Sequence, residues 1–193
     1  MNRMKKMITL ILVGLLSLTL FACNPAEKDS GNTDADSVSA PTGEDLQPKT
    51  TELTYNQEGE EQKSPATLFY REHYSFYLAD DGWKHDFEKQ DGIETDTWIF
   101  ESNDLIRFHV SIFPNQDRDA AVAFMTSAHP DLTMEEGEND WFFGTDIKSM
   151  TQTGYRMVAF GDKLYGFHYD IPLEAGEGAG VLIEAMGNTL SCI

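Results

Sequence analysis

The stretch Leu105 to Phe113 (LIRFHVSIF) limits the possible folds of this chain more than any other segment. Ile106, Phe108, Val110 and Ile112 take every second position, and Arg107, His109 and Ser111 stand between them. Successive side chains of an extended strand point to opposite faces. The alternation therefore predicts a strand with one face against a core and a polar face on the other side. Wound as a helix, the same residues would put apolar groups on two opposite sides. Thr97 to Glu101 lies just upstream, across the turn-forming Ser102-Asn103-Asp104, so the two segments read as a hairpin.

Other short apolar runs fit strands: Leu53 to Gln57, Ala66 to Tyr70, Tyr74 to Leu78 (stopped by Asp80-Asp81-Gly82), Trp141 to Met150, Tyr155 to Phe160 and Leu164 to Ile171. Gly161-Asp162 joins the last two as a Gly-first two-residue loop, the pattern of a type II′ hairpin. Pro114 ends the central strand, and Asp117 caps a predicted helix through Ala128 with Ala120, Ala121, Phe124, Met125 and Ala128 at helical spacing. A final helix is expected within Pro172 to Leu190, starting near Ala179, with Leu182, Ala185, Met186 and Leu190 as its apolar stripe. Glycines at 176, 178, 180 and 187 weaken it. The order strands, helix, strands, helix predicts an α+β domain with one antiparallel sheet of about 6–8 strands, a mid-chain helix and a C-terminal helix.

The N-terminus has a different character. Arg3, Lys5 and Lys6 precede an uncharged apolar run, Met7 to Phe21, which reads as a signal peptide over 1–22 and is shorter than a spanning helix requires. Leu20-Phe21-Ala22-Cys23 resembles the bacterial lipobox. That resemblance implies a diacylglyceryl thioether on Cys23 and a chain held on the extracytoplasmic side of the cell membrane, two acyl chains being enough for stable anchoring. Residues 23–50 are poor in large apolar groups and read as a disordered tether; residues 51–193 are of a size for one domain. With Cys23 lipidated, Cys192 has no partner within the chain and is expected to be a free thiol.

The chain carries 14 basic and 33 acidic residues, a net charge of −19. All three basic residues of the signal segment leave with it, so the acidity of the remainder is greater still. Nucleic acid is excluded as a partner by such a surface, and basic proteins, peptides or cations suit it.

Tyr74, Phe76 and Leu78 leading to Gly82-Trp83, then a mid-chain helix, a late hairpin and a C-terminal helix, make the span from about Ala66 to Leu190 resemble the PsbP-like fold. The chain is also similar to a group of small Gram-positive lipoproteins of unassigned function. In place of the proline that often precedes the Gly-Trp of that family stands Asp80-Asp81. The resemblance implies an accessory or binding module, and no catalytic set carries over with it.

No Gly-x-Ser-x-Gly, His-Glu-x-x-His, phosphate loop or dinucleotide fingerprint occurs, so neither an enzyme nor a cofactor is expected. Asn115-x-Asp117-x-Asp119 begins like a calcium loop, yet Ala120 and Thr126 stand where glycine and the bidentate glutamate belong; it reads as a turn and helix cap. Glu135 to Asp140 reads as a solvated acidic loop, and no metal site is expected. Phe142 cannot share a face with Trp141 and Phe143; either a second layer, a helix, covers it or it forms an exposed binding patch. In the late hairpin Val158, Phe160, Tyr165, Phe167 and Tyr169 form the expected core side. Arg107, His109, Tyr155 and His168 are then left facing outward as a candidate recognition surface, provided their strands are neighbours.

Two functions remain. One is a monomeric, lipid-anchored interaction module without catalytic activity, whose partner is an envelope protein or peptide. The other is a lipoprotein that binds a small molecule or metal cation, with hydrolytic chemistry in a cleft. A filled core with a broad aromatic or acidic face favours the first, and a deep cleft lined by ionisable groups favours the second.

Overall fold

A computed structural model describes residues 47–80 and 82–193; the signal segment, Cys23 and nearly all of the tether lie outside the described residues. In chain order the strands are β1 (Thr50–Gln57), β2 (Glu60–Tyr70), β3 (Tyr74–Ala79), β4 (Trp83–Gln90), β5 (Ile93–Phe100), β6 (Arg107–Phe113), β7 (Glu135–Glu136), β8 (Trp141–Asp146), β9 (Thr151–Phe160), β10 (Lys163–Pro172) and β11 (Ser191–Cys192). Helix α1 (Arg118–Met125) lies between β6 and β7, and α2 (Val181–Asn188) lies between β10 and β11. The fold is α+β. Seven strands form an antiparallel sheet in the order β4-β5-β6-β10-β9-β8-β7, within the expected size. The first three strands do not join it as a single-sheet reading implies. They make a second, four-stranded sheet, β1-β2-β3-β11.

The larger sheet presents two different faces. Phe108, Val110, Tyr165, Phe167 and Tyr169 point to the first, where they meet Leu53, Ala66, Tyr74 and Phe76 of the small sheet and Ile183 and Met186 of α2. Trp98, Phe108 and Phe167 stack in a row at 4.9 and 5.1 Å between ring centroids. Phe76 stands edge-on to all three. Apolar burial at roughly 25 cal/mol per Å² makes this aromatic layer the main stabilising element of the domain.

The second face is not open to solvent as a one-sided strand pattern suggests. Helix α1 covers part of it, with Ala121 and Met125 against Phe113, Tyr155 and Leu164. This is the covering layer, one of the two outcomes open to Phe142, whose ring stacks on Tyr155 at 5.1 Å. Close approach is possible because residue 166 is glycine: a Cβ there would lie 2.5 Å from the Met125 sulfur. Asp117 caps α1 as expected, its Oδ1 accepting from the Ala120 N–H at 3.0 Å. The helix ends three residues early, at Met125, where the Thr126 hydroxyl donates to the Val122 carbonyl.

Three further departures have local causes. Strand β4 has no apolar face, so periodicity does not reveal it; every residue after Trp83 is exposed. Phe160, at the open end of β9, is 49% exposed although its strand phase points to the core side. The residues ahead of α2 form a 3₁₀ turn, Leu173–Ala175, and a π turn, Gly176–Gly180, so the glycines at 176, 178 and 180 fall outside the helix. Cys192, beyond that helix, sits in β11, paired with Tyr74. Among the described residues no helix is long and apolar enough to cross a membrane.

Candidate functional site

Antiparallel register brings the four sequence-selected residues close together on the second face. His168 of β10 lies opposite His109 of β6 and Tyr155 of β9. Two residues further along, on the same face, Asp170 lies opposite Arg107 and Thr153. The two imidazoles stack at 4.7 Å with 21° between their planes. The β9–β10 hairpin register brings His168 to Tyr155, whereas His109 reaches His168 through the pairing of β6, distant in sequence, with β10; the exposure of His168 and Tyr155 does not match the outward-facing reading. His168 is only 7% exposed, roofed by the edge of Phe124 from α1, and Tyr155 is buried between α1 and Phe142. A packed helix, which strand periodicity cannot register, is the physical reason.

Hydroxyl groups of β5 and β6 hold the histidines. Thr97 Oγ1 is 2.8 Å from His109 Nδ1, and Ser111 Oγ is 3.2 Å from His168 Nε2 and 3.0 Å from Thr95 Oγ1. The remaining His168 nitrogen, Nδ1, is buried without a partner among the described residues. Burial, with a smaller contribution from the Arg107 guanidinium, pushes His109 down to about 4. Burial and then His109 hold His168 well below the usual histidine range. Both rings are therefore neutral at physiological pH.

Arg107 and His109 open onto a cleft of about 540 Å³. The sheet supplies those two side chains and Asp170; the segment after α1 supplies His129, the β8–β9 loop Met150, and the turn after β10 Glu174. Arg107 Nη2 donates to the Asp104 carbonyl at 3.1 Å, which braces the guanidinium at the rim. Asp170 Oδ1 accepts from Thr153 Oγ1 at 2.6 Å, and His129 Nδ1 lies 3.3 Å from Asp146 Oδ2. The cleft thus offers one guanidinium, two carboxylates and two imidazoles, of which that of His109 is neutral. No group of three or more His, Cys, Asp or Glu among the described residues is arranged to hold a metal ion.

Sequence reasoning missed a second polar cluster, on the opposite face. Asp96, buried in the apolar layer, receives Arg71 through Nε at 3.0 Å and Nη2 at 2.9 Å. It also accepts from the Tyr74 hydroxyl at 2.7 Å and meets His85 Nε2 at 2.7 Å. Both carboxylate oxygens are occupied, so the cluster is a clasp joining the β2–β3 turn and edge strand β4 to β5. A signal for it exists in the sequence. Asp96 shares its strand phase with Trp98 and Phe100, and an acid in an apolar phase must find partners when buried.

No family model matches the chain, and no curated protein matches it. Among solved structures it is similar to the solution structure of cyanobacterial PsbP from Synechocystis sp. PCC 6803, at 9% identity and a TM-score of 0.49, covering 66% of this chain and 92% of that one. It is also similar to a crystal structure from Bacteroides thetaiotaomicron, at 15% identity and a TM-score of 0.38, covering 62% of this chain and 45% of that one. These likenesses concern the path of the chain, and no activity or partner is taken from them.

Proposed function

We propose that this chain is a lipid-anchored module on the extracytoplasmic side of the cell membrane that works by contacting an envelope protein or peptide, without catalysis of its own. The observation that carries the reading is the cleft lined by Arg107, its cross-strand neighbour Asp170, Glu174 and neutral His109. A polypeptide presents both carboxylate and cationic groups along one segment, and a cleft with opposed charges selects such a segment and fixes its register. His109 is poorly suited to acid–base work there, because a general base is most effective with a pKa near the operating pH and burial pushes this ring down to about 4. The anchor rests on Cys23 after Leu20-Phe21-Ala22.

A small-molecule or cation binder is the second reading, favoured by the same cleft being of ligand size, since such sites span roughly 300–1,000 Å³, and lined by ionisable groups. A photo-crosslinking residue placed at Met150, on the cleft rim and 55% exposed, separates the two readings on intact cells. Phe160, at the other end of β9 and 49% exposed, is the control position. Adducts to one protein at 150 and none at 160 are expected. No adduct at either position favours the small ligand.

A further inference from the structure

A second pocket, of about 410 Å³, opens on the other face of the large sheet, between the start of β4 and the turn that leads into α2. Tyr55, Trp83, Phe100 and Leu182 form its apolar walls, with Glu58 and Glu177 among its lining residues. Trp83 and Phe100 lie 5.2 Å apart with their planes inclined at 52°, so two π systems flank the space. Both glutamates are exposed, and the lining includes no basic residue. Aromatic faces attract cations through their quadrupole, and long basic side chains bury their stems while keeping the charged head among water and carboxylates.

Trp83 begins β4, which is the end strand of its sheet and exposed along its length after Trp83. One side of its backbone is unpaired in the sheet, and an extended chain can pair there beside the pocket. We propose that the pocket receives a Lys or Arg side chain of a partner polypeptide, with the stem against Trp83 and Phe100, the charged head near Glu58 and Glu177, and the partner backbone running along β4. Charge complementarity selects the basic residue, and the adjoining free edge selects a polypeptide over a free amine.

The test uses the full-length chain in detergent, titrated by NMR with three probes: acetyl-Val-Thr-Lys-Thr-Val-amide, the same peptide with norleucine for lysine, and n-butylammonium. The lysine peptide is expected to bind at least about tenfold tighter than either other probe, and more weakly as salt is raised. Shifts should centre on the Trp83 indole and the β4 amides. The double variant Glu58→Gln, Glu177→Gln, at two exposed positions, should lose about tenfold for the lysine peptide and nothing for the norleucine one. Trp83→Leu should weaken both peptides. Arg107→Ala, on the opposite face, should change none of these, which separates this site from the cleft described above. Equal affinity for the two peptides, or no effect of the double variant, overturns the proposal; equal affinity for n-butylammonium overturns the polypeptide as occupant.

Discussion

Two polar devices lie inside the fold at single positions, the His109–His168 pair and Asp96 with its clasp, and the first of them responds to protons. An imidazole that ionises near 6.5 in the unfolded chain and near 4 when folded binds fewer protons in the folded state across that window. Its contribution leaves stability intact above about pH 6.5 and erodes it as pH falls toward 4, by on the order of 2–3 kcal/mol. His109→Gln should therefore flatten the dependence of the urea midpoint on pH between those limits relative to wild type. An unchanged slope would show that burial does not govern this ring. Asp96→Asn removes the charge that Arg71 and His85 meet inside the apolar layer, and a loss of about 2–4 kcal/mol in urea unfolding is expected. The pairing of His168 with Tyr155 was readable, because the Gly161-Asp162 loop sets the β9–β10 register, but the meeting of His109 with His168 was not, because it depends on β6 pairing with β10 from far away in the chain. Their burial was not readable, because it depends on a helix docking from elsewhere in the chain.

Elements with an amphipathic pattern were legible, and those without one were not. The hairpin β5–β6, the hairpin β9–β10 and the Asp117 cap all carry local signals, whereas β4 has charged or polar groups on both faces and is held by pairing with β5 and by the Asp96 clasp. The division into two sheets also escapes sequence reading, since alternation gives the face of a strand and not its neighbour. Gly187, the glycine that falls inside α2, has a packing role in the fold. A Cβ at Gly187 would lie 2.6 Å from the Trp141 ring, and the Arg156 guanidinium donates to the Gly187 carbonyl at 2.9 Å, near the helix C-terminus. Helix α1 depends on its own glycine contact. Gly166→Ala is expected to force Met125 outward, costing about 1–3 kcal/mol, with faster hydrogen exchange in α1 than in α2. Equal exchange in both helices would place the strain elsewhere.

At the scale of the whole molecule an acidic domain carries two proposed sites, one on each side of its large sheet and both lined in part by Glu174, with a proposed anchor at Cys23. Cys23→Ala should abolish incorporation of radiolabelled fatty acid while leaving the unfolding curve unchanged, and label on the variant would remove the anchor from the account. Thiol titration of the denatured, lipidated chain should find one free thiol, Cys192, whose pKa burial raises to about 11. Neither partner nor ligand was legible, because charge and aromatic content describe a surface and not the shape that fits it. The direct test of the interaction module is the affinity of the partner captured at Met150 for Arg107→Ala, a substitution at an exposed position. A loss of about tenfold or more, about 1.4 kcal/mol, with the unfolding midpoint unchanged, is predicted; a change below about 0.5 kcal/mol, the usual scale of neutral surface substitutions, would contradict the cleft as the recognition site.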